Sequence, residues 1–187
     1  MGKVGEIWGL LVNMLTGEFN VTLDDMGRIS LPRRFRDILE KEKVVLTKGE
    51  DNCIWLYTAS HWKELEKEIF GTTTQFSKQD LAMRRRFGPT HELDIDKQGR
   101  VLVAQSLRDY AGLVKECVVL GQYNYVEIWA ENRYKAYLEA SEEQFRAASE
   151  ELSGRIKKER ELGNYGNSSH SGTVGTNDAV SGAERQA

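Results

Sequence analysis

The chain has 187 residues, is 40% hydrophobic and 29% charged, and carries a formal net charge of -3. Such a length suits one ordinary domain or two small ones, each able to bury a core. Four Trp, seven Tyr and six Phe exclude a wholly disordered chain, and no apolar run approaches the ~20 residues that a membrane span requires. The small net charge argues neither for nor against a polyanionic partner, because local patches matter more than the sum.

Residues 1–13, MGKVGEIWGLLVN, open the chain. The apolar stretch from Ile7 to Leu15 is short, is broken by Gly9 and Asn13, and lacks a small-residue cleavage site. It therefore reads as neither a signal peptide nor an anchor, but as an extension to a fold that begins at Met14. Val21 and Leu23 then alternate with polar neighbours before a Gly-bearing turn, and Ile29 and Leu31 do so after it. Period-2 alternation on both sides of such a turn predicts a hairpin. Pro32 is placed to open a short helix carrying Phe35, Ile38 and Leu39. Residues 43–47 (KVVLT) and 53–57 (CIWLY) read as paired strands, with Glu50-Asp51-Asn52 as the turn between them. Helices are expected over 61–70 and 78–87, the second stopped by Gly88-Pro89.

The pattern then repeats. Residues 91–111, HELDIDKQGRVLVAQSLRDYA, match residues 19–39, FNVTLDDMGRISLPRRFRDIL. Asp24, Gly27 and Arg28 fall on Asp96, Gly99 and Arg100, and Arg36-Asp37 falls on Arg108-Asp109. Further on, with a two-residue insertion, Val44-Val45-Leu46 meets Val118-Val119-Leu120 and Ile54-Trp55 meets Ile128-Trp129. The reading is of two repeats, 14–60 and 90–131, joined by connecting helices over 61–89. Residues 132–162 have no Pro and one Gly, and place Tyr134, Tyr137, Leu138, Phe145, Ala148 and Leu152 at near-helical spacing. They read as one or two amphipathic helices. Residues 163–187 are dominated by Gly, Ser, Asn and Thr and are expected to be a disordered tail.

The element that occurs twice is Asp-x-x-Gly-Arg: DDMGR at 24–28 and DKQGR at 96–100. Gly27 and Gly99 suit a positive φ, and Asp24 and Asp96 can accept backbone N–H bonds as Asx caps. Neither role accounts for the Arg that follows each glycine. At a loop edge its planar fork of donors suits phosphate oxygens or guanine O6 and N7. The bland alternative is an Asp–Arg bridge that staples the turn. The repetition, and the basic run Arg33, Arg34 and Arg36 beside the first copy, favour binding. In the second copy Gln105 and Ser106 replace Arg33 and Arg34, while Lys97 replaces Asp25. A further run, Arg84-Arg85-Arg86, reads as packing or subunit pairing, with DNA contact as the alternative.

Little else points to chemistry. Cys53 and Cys117 lie in apolar runs without CxxC spacing and read as buried thiols in a reducing compartment. His61, His91 and His170 are scattered and stand in no metal-binding context, so neither a metal nor a cofactor is expected. Asp24, Asp25, Asp94 and Asp96 could be posed as acid–base pairs, but carboxylates beside a Gly turn are ordinary turn chemistry. No nucleophile–base signal or phosphate-cradling loop accompanies them, so an enzyme with a small-molecule substrate is not expected. A pure assembly module, with the arginines in subunit salt bridges, is the other rival.

From Met14 onward, MLTGEFNVTLDDMGRISLPRRFRDIL resembles the N-terminal part of the MraZ family of bacterial transcriptional regulators. LDIDKQGRVLVAQSLRDYAGLVKECVVLGQYNYVEIW resembles that family's second repeat. The resemblance spans about 14–162. It implies a mainly β fold with flanking helices (α+β), built of tandem AbrB-like swapped-hairpin modules that form a pseudo-two-fold β-barrel, with subunits assembling into a homo-oligomeric ring. It implies a cytoplasmic, nucleoid-associated regulator of its own promoter, at the head of a division and cell-wall gene cluster, binding short G-rich direct repeats in double-stranded DNA. Carried over by motif, Arg28 and Arg100 would touch DNA, while Asp24, Gly27, Asp96 and Gly99 would shape the loops; the basic residues beside the turns, Arg33, Arg34 and Lys97, are the further candidates for DNA contact. Pro32 faces Ala104 in the second copy, so the two short helices are expected to start differently.

Overall fold

The computed structural model describes residues 14–70, 83–85 and 87–167. The N-terminal extension at 1–13, much of the helix expected at 78–87, Arg86 and residues 168–187 lie outside the described residues.

The first repeat contributes β1 (Leu15–Thr22), β2 (Arg28–Ser30), α1 (Arg33–Leu39), β3 (Val44–Lys48) and β4 (Ile54–Thr58), followed by α2 (Ala59–Phe70). The second contributes β5 (His91–Leu93), β6 (Arg100–Leu102), α3 (Gln105–Ala111), β7 (Glu116–Tyr123) and β8 (Val126–Ala130), followed by α4 (Glu131–Asn167). The β3–β4 connection is tight because Asp51 and Asn52 both adopt positive φ, 53° and 61°, as a primed turn needs. The amide of Cys53 closes it on the carbonyl of Glu50 at 3.1 Å.

The two short helices begin alike, contrary to the expectation drawn from Pro32. Pro32 (φ -54°, ψ 141°) and Ala104 (φ -56°, ψ 145°) stand in the same extended conformation before the first helical residue. That position requires the extended backbone and not the ring, so Ala serves as well. Their ends differ. Glu40 stays right-handed, whereas Gly112 turns left-handed at φ 64°, the usual glycine stop.

Long-range pairing separates the two strands of each predicted hairpin. Within the first repeat, the ladder pairing expected between β1 and β2 is reduced, among the described residues, to the isolated bridge Leu23–Ile29 just past the end of β1. β1 instead runs antiparallel to β7, and β5 runs antiparallel to β3, so each repeat gives its first strand to the other. The main sheet has the order β1-β7-β8-β4-β3-β5, and β2 pairs with β6 in a separate two-stranded sheet. Exchanging each strand for its repeat counterpart reads this order backwards, so the β4–β8 pair and the β2–β6 pair lie on the pseudo-two-fold. In the smaller sheet Ile29 stands opposite Val101, its own counterpart. The expected closed barrel is not found among the described residues: their six-stranded ladder ends at β1 and β5 without joining. The α+β class stands.

One core fills the space between the main sheet, the β2–β6 pair and the two short helices. Ile29, Phe35, Leu39, Leu46, Leu56, Val101, Leu107, Val119 and Ile128 are fully buried in it. Phe35 meets the edge of Phe19 at 5.2 Å between ring centroids. The opposite face of the main sheet carries two smaller clusters. Trp129, Tyr134, Cys53 and Val118 form one, and Val45, Tyr57 and Trp62 form the other.

These faces correct the repeat alignment in its second half. Leu46 pairs with Leu56 in the core, and Val119 pairs with Ile128 in the equivalent place. Leu46 therefore corresponds to Val119, not Leu120, and Leu56 corresponds to Ile128, not Ala130. In β3 and β7 identical letters had matched residues on opposite faces, because a one-residue slip in a strand inverts every side chain, whereas in β4 and β8 the slip is of two residues and keeps the face.

The chain divides into two compact units, Met1–Ala140 and Ser141–Ala187. The first holds the sheets and the core. In the second, the described residues continue α4 as one helix through Asn167, five residues past the expected limit of 162. Extending a formed helix costs far less than nucleating one, so Gly163 and Gly166 do not stop it. Phe145 and Leu152 on this part are exposed, and Arg146 pairs with Glu142 one turn earlier at 2.9 Å.

Candidate nucleic-acid interface

The two repeated turns have nearly the same internal geometry. Asp24 Oδ1 accepts the amides of Met26 and Arg28, each at 2.9 Å, while Oδ2 accepts Arg28 Nε at 2.8 Å. Asp96 does the same for Gln98, Arg100 and Arg100 Nε, at 2.9, 2.9 and 2.8 Å. The amides of Gly27 and Gly99 bond back to the carbonyls of Asp24 and Asp96, with φ at 77° and 76°. Both carboxyls are held below the usual aspartate value. For Asp24 the chief lowering cause is the Arg28 amide, and for Asp96 it is the Arg100 side chain. Each Asp thus both caps the turn and orients the arginine.

The β2–β6 ladder brings the turns together. Arg28 stands opposite Leu102, and Arg100 stands opposite Ser30, so the two arginines flank the central Ile29–Val101 pair. Both are partly exposed. Their terminal nitrogens are used differently. Arg100 Nη2 bonds Asp96 Oδ2 at 2.8 Å and Gln98 Oε1 at 3.1 Å, and Nη1 lies 3.9 Å from Asp24 Oδ2. Arg28 is anchored through Nε, and its Nη1 and Nη2 form no hydrogen bond among the described residues. The residue that corresponds to Gln98 is Met26, exposed and unable to accept strongly.

The remaining expected site residues are dispersed around this pair. Arg33 and Lys97 are exposed, the one opening α1 and the other at the tip of the second turn. Arg34 is exposed but its Nη2 donates to Thr16 Oγ1 on β1 at 2.9 Å, so it also fastens α1 to the sheet. Arg84 and Arg85 are exposed on the helical segment before Gly88.

Two arginines that the sequence reading gave no separate role lie against the turns. A Cβ built on Gly27 would fall 2.6 Å from Arg108 Cζ, and one on Gly99 would fall 2.8 Å from Arg36 Nε. Each glycine is thus pressed by an arginine from the helix of the other repeat. The signal was present in the sequence, since Arg36 and Arg108 recur at the same offset as the turns. What spacing does not convey is that each crosses to the opposite repeat.

The arrangement is a cluster of guanidinium groups ordered by carboxylates, suited to contacting an anionic, hydrogen-bonding surface at several points. Among the described residues no group of three or more His, Cys, Asp or Glu side chains is placed to hold a metal ion, and no helix is long and apolar enough to cross a membrane.

A protein family described as "MraZ protein, putative antitoxin-like" matches residues 14–85 and again 86–156. The chain is 42% identical over 139 residues to a protein named "Transcriptional regulator MraZ" from Treponema denticola, covering 74% of this chain and 96% of that one. It is 37% identical over 141 residues to a protein of the same name from Treponema pallidum, covering 75% and 95%.

Proposed function

This chain belongs to the MraZ family, and on that premise we propose that it is a sequence-specific DNA-binding transcriptional regulator and not an enzyme. The observation that carries the reading is the meeting of the two Asp-x-x-Gly-Arg turns on the β2–β6 pair, which sets Arg28 and Arg100 on either side of one pseudo-two-fold. A guanidinium held through Nε by a carboxylate keeps the outer edge of its fork for an incoming acceptor. Each good bidentate contact to guanine contributes about 1–3 kcal/mol of discrimination. Asp24 and Asp96 supply the ordering, so that little side-chain entropy is lost on contact.

The bridge that a purely structural role would require is also present in each turn. Arg28, with its terminal nitrogens uncommitted among the described residues, favours the binding role over the staple. Arg33, Arg34 and Lys97 add positive charge beside the turns and serve phosphate contacts.

The target is double-stranded promoter DNA carrying short G-rich direct repeats upstream of the chain's own gene and the division and cell-wall cluster that follows. Occupancy there obstructs polymerase, giving repression in the cytoplasm at the nucleoid. One subunit offers two turns and binds weakly. A ring of subunits meeting repeated boxes gains effective concentration without new contacts.

Fluorescence anisotropy with two duplexes, one carrying the repeated boxes and one shuffled, at two salt concentrations tests the reading. Preference for the boxes that survives the higher salt supports it. Equal binding that salt abolishes leaves a nonspecific basic face, and no binding by an intact oligomer leaves an assembly module.

A further inference from the structure

We propose that Arg36 and Arg108 are crossed positioning residues: Arg108 of the second repeat sets the turn that carries Arg28, and Arg36 of the first sets the turn that carries Arg100. The part of this that concerns DNA rests on the function proposed above. The part that concerns the turns does not.

Three observations carry it. First, an arginine side chain occupies the space where a Cβ on the opposite glycine would sit: the guanidinium of Arg108 on Gly27, and the Cδ and guanidinium of Arg36 on Gly99. Each arginine thus sits against the bare backbone of the glycine that leads directly into the turn arginine. Second, the same crossing is made by the backbone. The Gly27 carbonyl accepts the amide of Val103, and the Gly99 carbonyl accepts the amide of Leu31, both at 2.9 Å. Val103 and Leu31 immediately precede the N-caps of α3 and α1, so each turn is bolted to the start of the helix whose arginine covers it. Third, Arg36 is held across the repeats, while Arg108 is restrained from within its own helix. Arg36 Nη1 donates to the carbonyl of Gln98, inside the opposite turn, at 3.3 Å, while its Nε is buried without any acceptor. Arg108 Nη2 donates to Gln105 Oε1, and Gln105 in turn holds Asp109 Oδ1 at 2.6 Å. Arg33 is the repeat counterpart of Gln105, so the two copies restrain their positioning arginine by different means.

A merely stabilising arginine would loosen its own surroundings. A crossed one loosens the other repeat's turn, and that is measurable without DNA. In the full-length oligomer, hydrogen–deuterium exchange is followed on peptides covering 24–30 and 96–102. Arg108→Ala is expected to speed exchange in 24–30 by roughly tenfold while leaving 96–102 within about twofold, and Arg36→Ala is expected to do the reverse. Arg108→Lys and Arg36→Lys keep the charge and aliphatic stem, so they preserve folding where alanine does not, and should show the same crossed pattern at smaller amplitude. Loosening of each variant's own turn, or of both turns equally, overturns the proposal.

The second readout is discrimination between boxed and shuffled duplexes. Arg108→Ala should lower it in a wild-type background by no more than Arg28→Ala does, add nothing to Arg28→Ala, and add fully to Arg100→Ala. Its salt dependence should stay unchanged, because a lost phosphate contact would lower the slope of log K against log salt by about 0.9. Such a drop makes Arg108 a direct phosphate ligand and overturns the positioning role. If the wild type shows no preference for the boxes, the proposed function fails while the exchange experiment still decides the crossed geometry.

Discussion

Arg100 of the second turn reaches Asp24 of the first, its Nη1 standing 3.9 Å from Oδ2, and among the described residues Arg28 makes no matching ion pair with Asp96. The two turns are alike in their backbone and unlike in how far their arginines are committed. Arg100 divides its donors among Asp96, Gln98 and Asp24, whereas Arg28 spends only Nε.

Arg28→Ala should therefore lower affinity for boxed promoter DNA more than Arg100→Ala. A loss of one bidentate guanine contact corresponds to about 1–3 kcal/mol, tenfold or more in Kd. Anisotropy titration measures the affinities, and sedimentation shows whether the variants keep the wild-type assembly state. Wild-type affinity in the Arg28 variant would remove that residue from the contact surface.

The residue before each glycine tunes this difference. Met26→Gln places an acceptor where Gln98 already holds Arg100, and should draw Arg28 inward and weaken DNA binding. Gln98→Met should free Arg100 and strengthen its contribution. Neither change touches the core, so the melting temperature should hardly move. A reversal of the two affinity effects would contradict the assigned asymmetry.

Gly27→Ala and Gly99→Ala each force a side chain into a positive φ, which costs about 1–2 kcal/mol, and each also displaces the arginine lying on the glycine. Both variants should melt lower than the wild type, whereas an alanine replacement of Gly154, inside α4 with open space around it, should not lower the melt. Calorimetry on the three proteins settles the order.

Acid should release the turns. Asp24 and Asp96 have folded-state values below the ordinary 3.8, because the Arg28 amide and the Arg100 guanidinium respectively favour the ionised form. Their contribution is complete above 3.8 and is lost as pH falls from there through the lowered folded values. Turn protection followed by hydrogen exchange should stay level down to that point and then decline. Asp24→Asn keeps an acceptor for the two amides but removes the titration, so the first turn should lose the pH dependence while the second retains it.

At the pseudo-two-fold, Ile29 is fully buried against Val101. Ile29→Ala should destabilise by about 2–5 kcal/mol in a denaturant melt. Because this pair joins the repeats, the loss should appear as one cooperative transition, not as separate unfolding of one repeat.

Much of this protein is legible locally. The alternation of Val21, Leu23, Ile29 and Leu31 marks the strands flanking the turn. The run Glu50-Asp51-Asn52 marks a turn, and Asp-x-x-Gly-Arg marks two capped loops with an arginine at the edge. These follow from interactions spanning a few residues, which the sequence states directly. The identity of each strand's partner does not. Alternation says which face of β1 is buried but not that the strand lies along β7, a pairing that goes with the packing of Ile29 on Val101 and of both short helices into one core. The same limit hid the roles of Arg36 and Arg108. Their recurrence was visible in the repeat, but a residue's neighbour across a swapped interface depends on which copy of the turn the fold brings to it. In the second half of the repeats, matching letters even misled, because Leu46 and Leu120 face opposite sides of the sheet and only the strand register distinguishes them. The sequence alone determined the turns and their chemistry. The tertiary structure decided which turn meets which helix, because pairing over long separations is set by the shared core and not by any local pattern.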